Sequence, residues 1–133
     1  MHPLFEMASG LTESIIGAAI EVHRDKGPGL VESIYEWCLT KELELRGLPC
    51  LSQKNVVITC KDFAREVPLR FDLLVAGCVL VAAKAVEKIP PIHKAQLLSY
   101  MKLLDVPIGL LINFHEMKLT DGVHRLILPG AGR

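Results

Sequence analysis

Arg70-Phe71-Asp72-Leu73-Leu74-Val75, a break at Ala76-Gly77-Cys78, and then Val79-Leu80-Val81-Ala82-Ala83-Lys84-Ala85-Val86-Glu87-Lys88 is the stretch that decides the fold. Val67, Leu69, Phe71, Leu73 and Val75 alternate with Glu66, Pro68, Arg70, Asp72 and Leu74. That period of two predicts a strand. Val79 to Val86 predicts the next strand, apolar on both sides until Lys84. Side chains two apart share a face, so Ala82 and Lys84 lie together on the second strand, as Arg70 and Asp72 do on the first. The length of the turn decides whether those faces coincide. A three-residue loop puts Val75 opposite Val79, Asp72 opposite Ala82 and Arg70 opposite Lys84; a loop of two would send Asp72 and Lys84 to opposite faces.

Working outward, the chain reads as helix, helix, three strands, helix and two strands. Thr12 is placed to cap a first helix running to about Arg24, with Ile16, Ile20 and His23 on one face. Gly27-Pro28-Gly29 breaks it, and a second helix is predicted from about Leu30 to Arg46, ended by Gly47. Val56 to Cys60 predicts a strand and Lys61-Asp62 a turn. A third helix is predicted from about Pro91 to Leu104. Ile108 to Phe114 predicts a central strand covered on both faces, Val123 to Leu128 a last strand, and the residues from Pro129 a tail. The expected fold class is α/β, a small mixed sheet flanked by helices.

With 133 residues, no repeat and no low-complexity linker, one domain is expected, with its core over about 11–128. No apolar run reaches the roughly 18–20 residues needed to cross a bilayer. Met1-His2-Pro3-Leu4-Phe5 lacks a basic segment followed by an apolar one, so a cytoplasmic protein without a membrane partner is expected. Formal net charge is zero, which argues against unselective phosphate binding through the whole surface but leaves room for a local basic patch. Cys38, Cys50, Cys60 and Cys78 form no CxxC pair, which disfavours a zinc or iron–sulfur site; they read as small apolar side chains.

Asp72 and Lys84 together suit phosphodiester chemistry. Hydrolysis at neutral pH needs an activated water and a sink for charge, and a divalent cation held by carboxylates supplies both. Magnesium keeps several waters, so one or two carboxylates and a backbone carbonyl suffice. A neighbouring lysine can orient the water or stabilise the transition state.

At these residues the sequence resembles the D…ExK core of the PD-(D/E)XK nuclease superfamily. More narrowly, Gly29-Leu30-Val31-Glu32-Ser33-Ile34-Tyr35 resembles the motif that names the GxxExxY family, and Gln96-Leu97-Leu98-Ser99-Tyr100 resembles the QxxxY motif of RecB-like nucleases. Ile16 to His23, the Gly27-Pro28-Gly29 break and Ile108 to Phe114 extend the likeness over about 11–128. The resemblance implies a restriction-endonuclease-like core and metal-dependent cleavage of DNA with magnesium or manganese. It also makes a homodimer plausible, since many nucleases of this fold pair up. It assigns catalytic positions to Asp72, Ala82, Lys84, Glu32, Gln96 and Tyr100, and metal ligation to Asp72, the Ala83 carbonyl and Glu32. His23, Tyr35, His93 and Glu87 are candidates for support.

The departure is at Ala82, where the family pattern has the glutamate of ExK. Alanine cannot bind a cation, so impaired metal binding and activity are expected. A substitution introduced to abolish activity and natural loss in a degenerate member both account for it; the intact remainder of the motif set favours the former. Glu87 lies at an odd spacing from position 82 and is poorly placed to substitute. Other roles compete at several residues. Glu32 also suits a helix N-terminus on electrostatic grounds, His23 suits a partly buried structural histidine, and Lys88, Lys94 and Lys102 suit a solvated surface. The alternative to an impaired nuclease is a non-catalytic pseudo-nuclease that binds nucleic acid or a protein partner.

Overall fold

Val75 pairs with Val79, Leu74 with Leu80 and Leu73 with Val81 in the computed structural model, which describes residues 1–133. The loop at Ala76-Gly77-Cys78 therefore has the odd length that puts Asp72 and Lys84 on one face. It closes through the Cys78 N–H, which donates to the Val75 carbonyl at 3.1 Å. Ala76 and Gly77 both take positive φ, 51° and 70°. Gly77 adopts this at no steric cost, while Ala76 is held there by its N–H on the Pro49 carbonyl at 2.8 Å.

The elements are α1 (Phe5–Lys26), α2 (Glu32–Leu45), β1 (Cys50–Cys60), β2 (Phe63–Val75), β3 (Val79–Lys84), α3 (Pro91–Leu104), β4 (Ile108–Asn113), a 3-10 turn (Leu119–Gly122) and β5 (Val123–Ile127). The five strands lie in the order β1-β2-β3-β4-β5. Only β3 and β4 are parallel; the other pairs are antiparallel. A parallel pair needs a crossover, and α3 supplies it. The result is the α/β, restriction-endonuclease-like arrangement expected, a small mixed sheet flanked by helices. No helix is long and apolar enough to cross a membrane.

Strand alternation divides the core in two. Ile15, Ala19 and Val22 of α1 and Tyr35, Leu39 and Leu43 of α2 pack on one face of the sheet, against Leu73, Val75, Val81 and Leu110. Leu97, Met101 and Leu104 of α3 pack on the other, against Leu74, Leu80 and Leu111. Gly109 lets α3 approach the backbone of β4 directly: a Cβ there would stand 2.5 Å from the Met101 sulfur and 3.1 Å from Leu97. This close packing sets the first turns of α3 over the ends of β2 and β3, where the site forms. Every residue of β4 is buried, as its unbroken apolar run predicts.

Several boundaries differ from the sequence expectations. Thr12 does not cap α1, which starts at Phe5; Thr12 is buried and its hydroxyl donates to the Ala8 carbonyl at 3.1 Å. The fully buried face of α1 is Ile15, Ala18 and Ala19 with Val22, leaving Ile16, Ile20 and His23 half-buried on its flank. β1 and β2 start earlier than expected, at Cys50 and Phe63. Their distal parts form a mostly exposed hairpin held by backbone pairing, so no buried face imprints a period there. β3 stops at Lys84 because the buried Asn113 amide captures the next segment: it accepts from Val86 N–H at 3.2 Å and donates to the Val86 carbonyl at 2.8 Å. The residues from Pro129 are no free tail. Ala131 is buried, and its carbonyl accepts the His2 N–H at 2.8 Å.

Candidate active site

Two strands and one helix converge on a cavity of about 210 Å³. β2 contributes Arg70 and Asp72, β3 contributes Ala82 and Lys84, and α3 contributes His93, Gln96 and Tyr100. The strand residues meet because of the three-residue turn. The helix residues meet because Gln96 and Tyr100 are four apart and His93 is three before Gln96, one stripe on a helix. The regular β2–β3 ladder ends at Leu73 and Val81. Asp72, just beyond it, uses its carboxylate as a continuation: Oδ2 accepts the Ala83 N–H at 2.9 Å. Arg70 pairs instead with Gln53 of β1, yet still lines the cavity beside Lys84.

The electrostatics of the carboxylates are set mainly by burial. Asp72 is raised above the ordinary aspartate range by desolvation; the Ala83 N–H and Lys84 oppose the shift, and Glu32 adds to it. Glu36 is likewise raised, by burial first and then by Asp72 and Glu32, against the pull of Lys84. Glu36 was not anticipated. It lies four residues after Glu32 on α2, a spacing that puts two acids on one helical face and was the available signal. Glu36 and Asp72 line a second groove of about 260 Å³ on the α2 side, so Asp72 borders both spaces.

The remaining candidates separate from the cavity. Glu32 opens α2 and acts on Asp72 through its charge, but does not line the space. Tyr35 is fully buried, with its ring stacked on Phe114 at 4.6 Å between centroids. Its hydroxyl donates to the Gly27 carbonyl at 2.5 Å and accepts the Leu30 N–H at 3.0 Å. His23 is paired through Nε2 with the Glu116 carbonyl at 2.7 Å and borders a different cleft. Glu87 is exposed beyond the end of β3 and also lies outside the cavity. His93 lines the cavity, and its Nδ1 is buried without a protein partner.

Asp72 of β2, Lys84 of β3 and Gln96 and Tyr100 of α3 thus stand together at one cavity. The chain belongs to the PD-(D/E)XK nuclease superfamily, whose family model matches residues 9–126. No curated protein and no solved structure gives a significant match. Nucleases of this superfamily use divalent metals, and the donor set here lacks one carboxylate of the family pattern, at Ala82. No three histidine, cysteine, aspartate or glutamate side chains come together to hold a metal ion. Ala82 offers none, and one oxygen of Asp72 is engaged by Ala83.

The raised pKa of Asp72 gives a prediction with a definite sign. Its folded-state value exceeds its unfolded value, so its ionisation penalises the folded state. The penalty is absent below the unfolded value of about 4, grows as pH rises from the unfolded to the folded value, and is complete above the folded value. Asp72→Asn keeps an acceptor for the Ala83 N–H and removes the charge. Urea unfolding is expected to show the variant more stable than the parent at pH 7, with the gain disappearing as pH falls below about 4. A variant less stable at pH 7 would contradict this account of the site.

Proposed function

We propose that this chain is a DNA-directed member of its superfamily in which phosphodiester cleavage is impaired by Ala82. Within the superfamily we assign it to the GxxExxY group, on Gly29, Glu32 and Tyr35. The reading includes one domain over residues 1–133, a cytoplasmic location and pairing as a homodimer, the last testable by light scattering. One observation carries the proposal: Asp72, position 82, Lys84, Gln96 and Tyr100 line a single cavity. Asp72 is the acid that would ligate a cation in an intact site, with the Ala83 carbonyl and Glu32 as further candidates. Lys84 is placed to meet a phosphate oxygen, and Gln96 and Tyr100 to hydrogen-bond the backbone beside it.

A specific observation also favours the alternative, a pseudo-nuclease that binds without cutting. Arg70 and Lys84 outnumber the single acid of the cavity, Asp72, so its lining carries a formal charge of +1. Such a cavity attracts phosphate without a cation. Binding of labelled DNA in the presence of a chelator tests the common part of both readings. Lys84→Ala is expected to weaken binding similarly across sequences and to lower the log–log salt slope by about 1, one phosphate contact. DNA binding unchanged by Lys84→Ala and Arg70→Ala together would remove the cavity from the interface.

A further inference from the structure

His93 stands in the first turn of α3 and lines the candidate cavity with Arg70 and Lys84. Its Nδ1 is the one buried side-chain nitrogen or oxygen of the chain with no hydrogen-bond partner. That decides where the ring carries its proton. A neutral imidazole has one N–H and one bare nitrogen. A buried N–H without an acceptor is the costlier of the two orphans, and native structures hold very few of them. The bare nitrogen therefore belongs at Nδ1 and the N–H at Nε2. Nε2 is the open end of the ring: it has no partner in the chain, yet it is not among the buried atoms.

The surroundings of this donor suit an anion. Arg70 and Lys84 outnumber Asp72 along the cavity wall. α3 begins with no side-chain cap and no acid in its first turn, so the positive end of its dipole is uncompensated there. We propose that His93 is a phosphate-binding residue of the cavity, its Nε2–H donating to a non-bridging oxygen of the phosphodiester that Arg70 and Lys84 attract. The two cations supply attraction from any direction. A neutral N–H on a ring wedged at its other nitrogen supplies direction, and so fixes how the phosphate lies relative to Asp72 and Lys84. The inference rests on the nucleic-acid reading above and adds to it a contact that the charges of the cavity do not provide.

The test has two arms, both in chelator, since no cleavage is needed. Heteronuclear NMR of the imidazole nitrogens at about pH 8 reads the tautomer of the unaltered chain, where an imidazole ordinarily carries a single proton. Five histidines are present, and the signals lost in His93→Gln assign those of His93. The Nε2–H form is expected; the Nδ1–H form would overturn the inference. Fluorescence anisotropy with labelled DNA supplies the second arm. Glutamine sets its amide nitrogen near the place of Nε2 and asparagine near that of Nδ1. His93→Ala and His93→Asn are each expected to weaken DNA binding about 10- to 100-fold, the loss of one hydrogen bond to a charged group, while His93→Gln stays within about threefold. Thermal melting of the three variants confirms that they fold. Rescue by asparagine and not by glutamine would make Nδ1 the working atom and overturn the inference. DNA binding weakened by Lys84→Ala but unchanged by His93→Ala would overturn it as well, and leave the cavity reading intact. No DNA binding by the unaltered chain would overturn both.

Discussion

Ala82→Glu is expected to strengthen divalent-metal binding and DNA cleavage. The position lines the cavity and is half-buried, with Lys84 on the same strand face and Asp72 across the turn. A carboxylate introduced there supplies the missing acidic oxygens. An outer-shell partner alone alters metal affinity by roughly 10–100-fold, so a ligand carboxylate is expected to raise affinity and cleavage by at least about 100-fold. Stability supplies a readout independent of cleavage. Asp72 and Glu36 are already pushed up by burial and by neighbouring acids. Another acid beside them adds like-charge repulsion, so the variant is expected to melt lower than the parent in chelator. Magnesium or manganese should then raise its melting temperature, with no comparable shift in the parent. Calorimetry and a plasmid-cleavage assay complete the test. A variant that neither binds metal nor cleaves DNA would leave only the non-catalytic reading.

How far the sequence foretold this site depends on what each residue leaves in the pattern. The break at Ala76-Gly77-Cys78 was legible but its length was not: the alternation shows only that an odd loop aligns Asp72 with Lys84, and the pairing of Val75 with Val79 fixes it at three residues. α3 was legible at both ends: Pro91 occupies its first turn, and the apolar spacing through Leu104 holds without interruption. β1 before Val56 was not legible, because Leu51 to Asn55 are exposed and impose no burial period. Glu36 was missed for a related reason. On α2, Tyr35, Leu39 and Leu43 mark the core face, but spacing alone does not say which exposed neighbours border a groove. The role of Asn113 depends on Val86, 27 residues away, and no local pattern carries such a contact.

Tyr35 separates motif from mechanism. It belongs to the stretch that carries the family likeness, yet its side chain is fully buried on the α1–α2 side of the sheet. Its hydroxyl bridges the Gly27 carbonyl and the Leu30 N–H, tying the end of α1 to the approach of α2. Its ring stacks on Phe114 with planes 10° apart, just beyond β4. Tyr35→Ala removes the aromatic ring from a packed core and both hydrogen bonds. The expected cost is about 3–5 kcal/mol, a large share of the roughly 5–15 kcal/mol that holds a domain together. At roughly 3–5 °C per kcal/mol for a chain of this size, the melting temperature should fall by more than about 10 °C. Tyr35→Phe keeps the ring and leaves the Gly27 and Leu30 groups without this partner, at an expected cost of about 1–3 kcal/mol. Made in the Ala82→Glu background, Tyr35→Phe should leave cleavage by the folded protein within about threefold, since the phenol lies outside the cavity and loses only a structural bond. A loss of cleavage approaching that from removing Lys84, with melting little changed, would show instead that the phenol takes part in the chemistry.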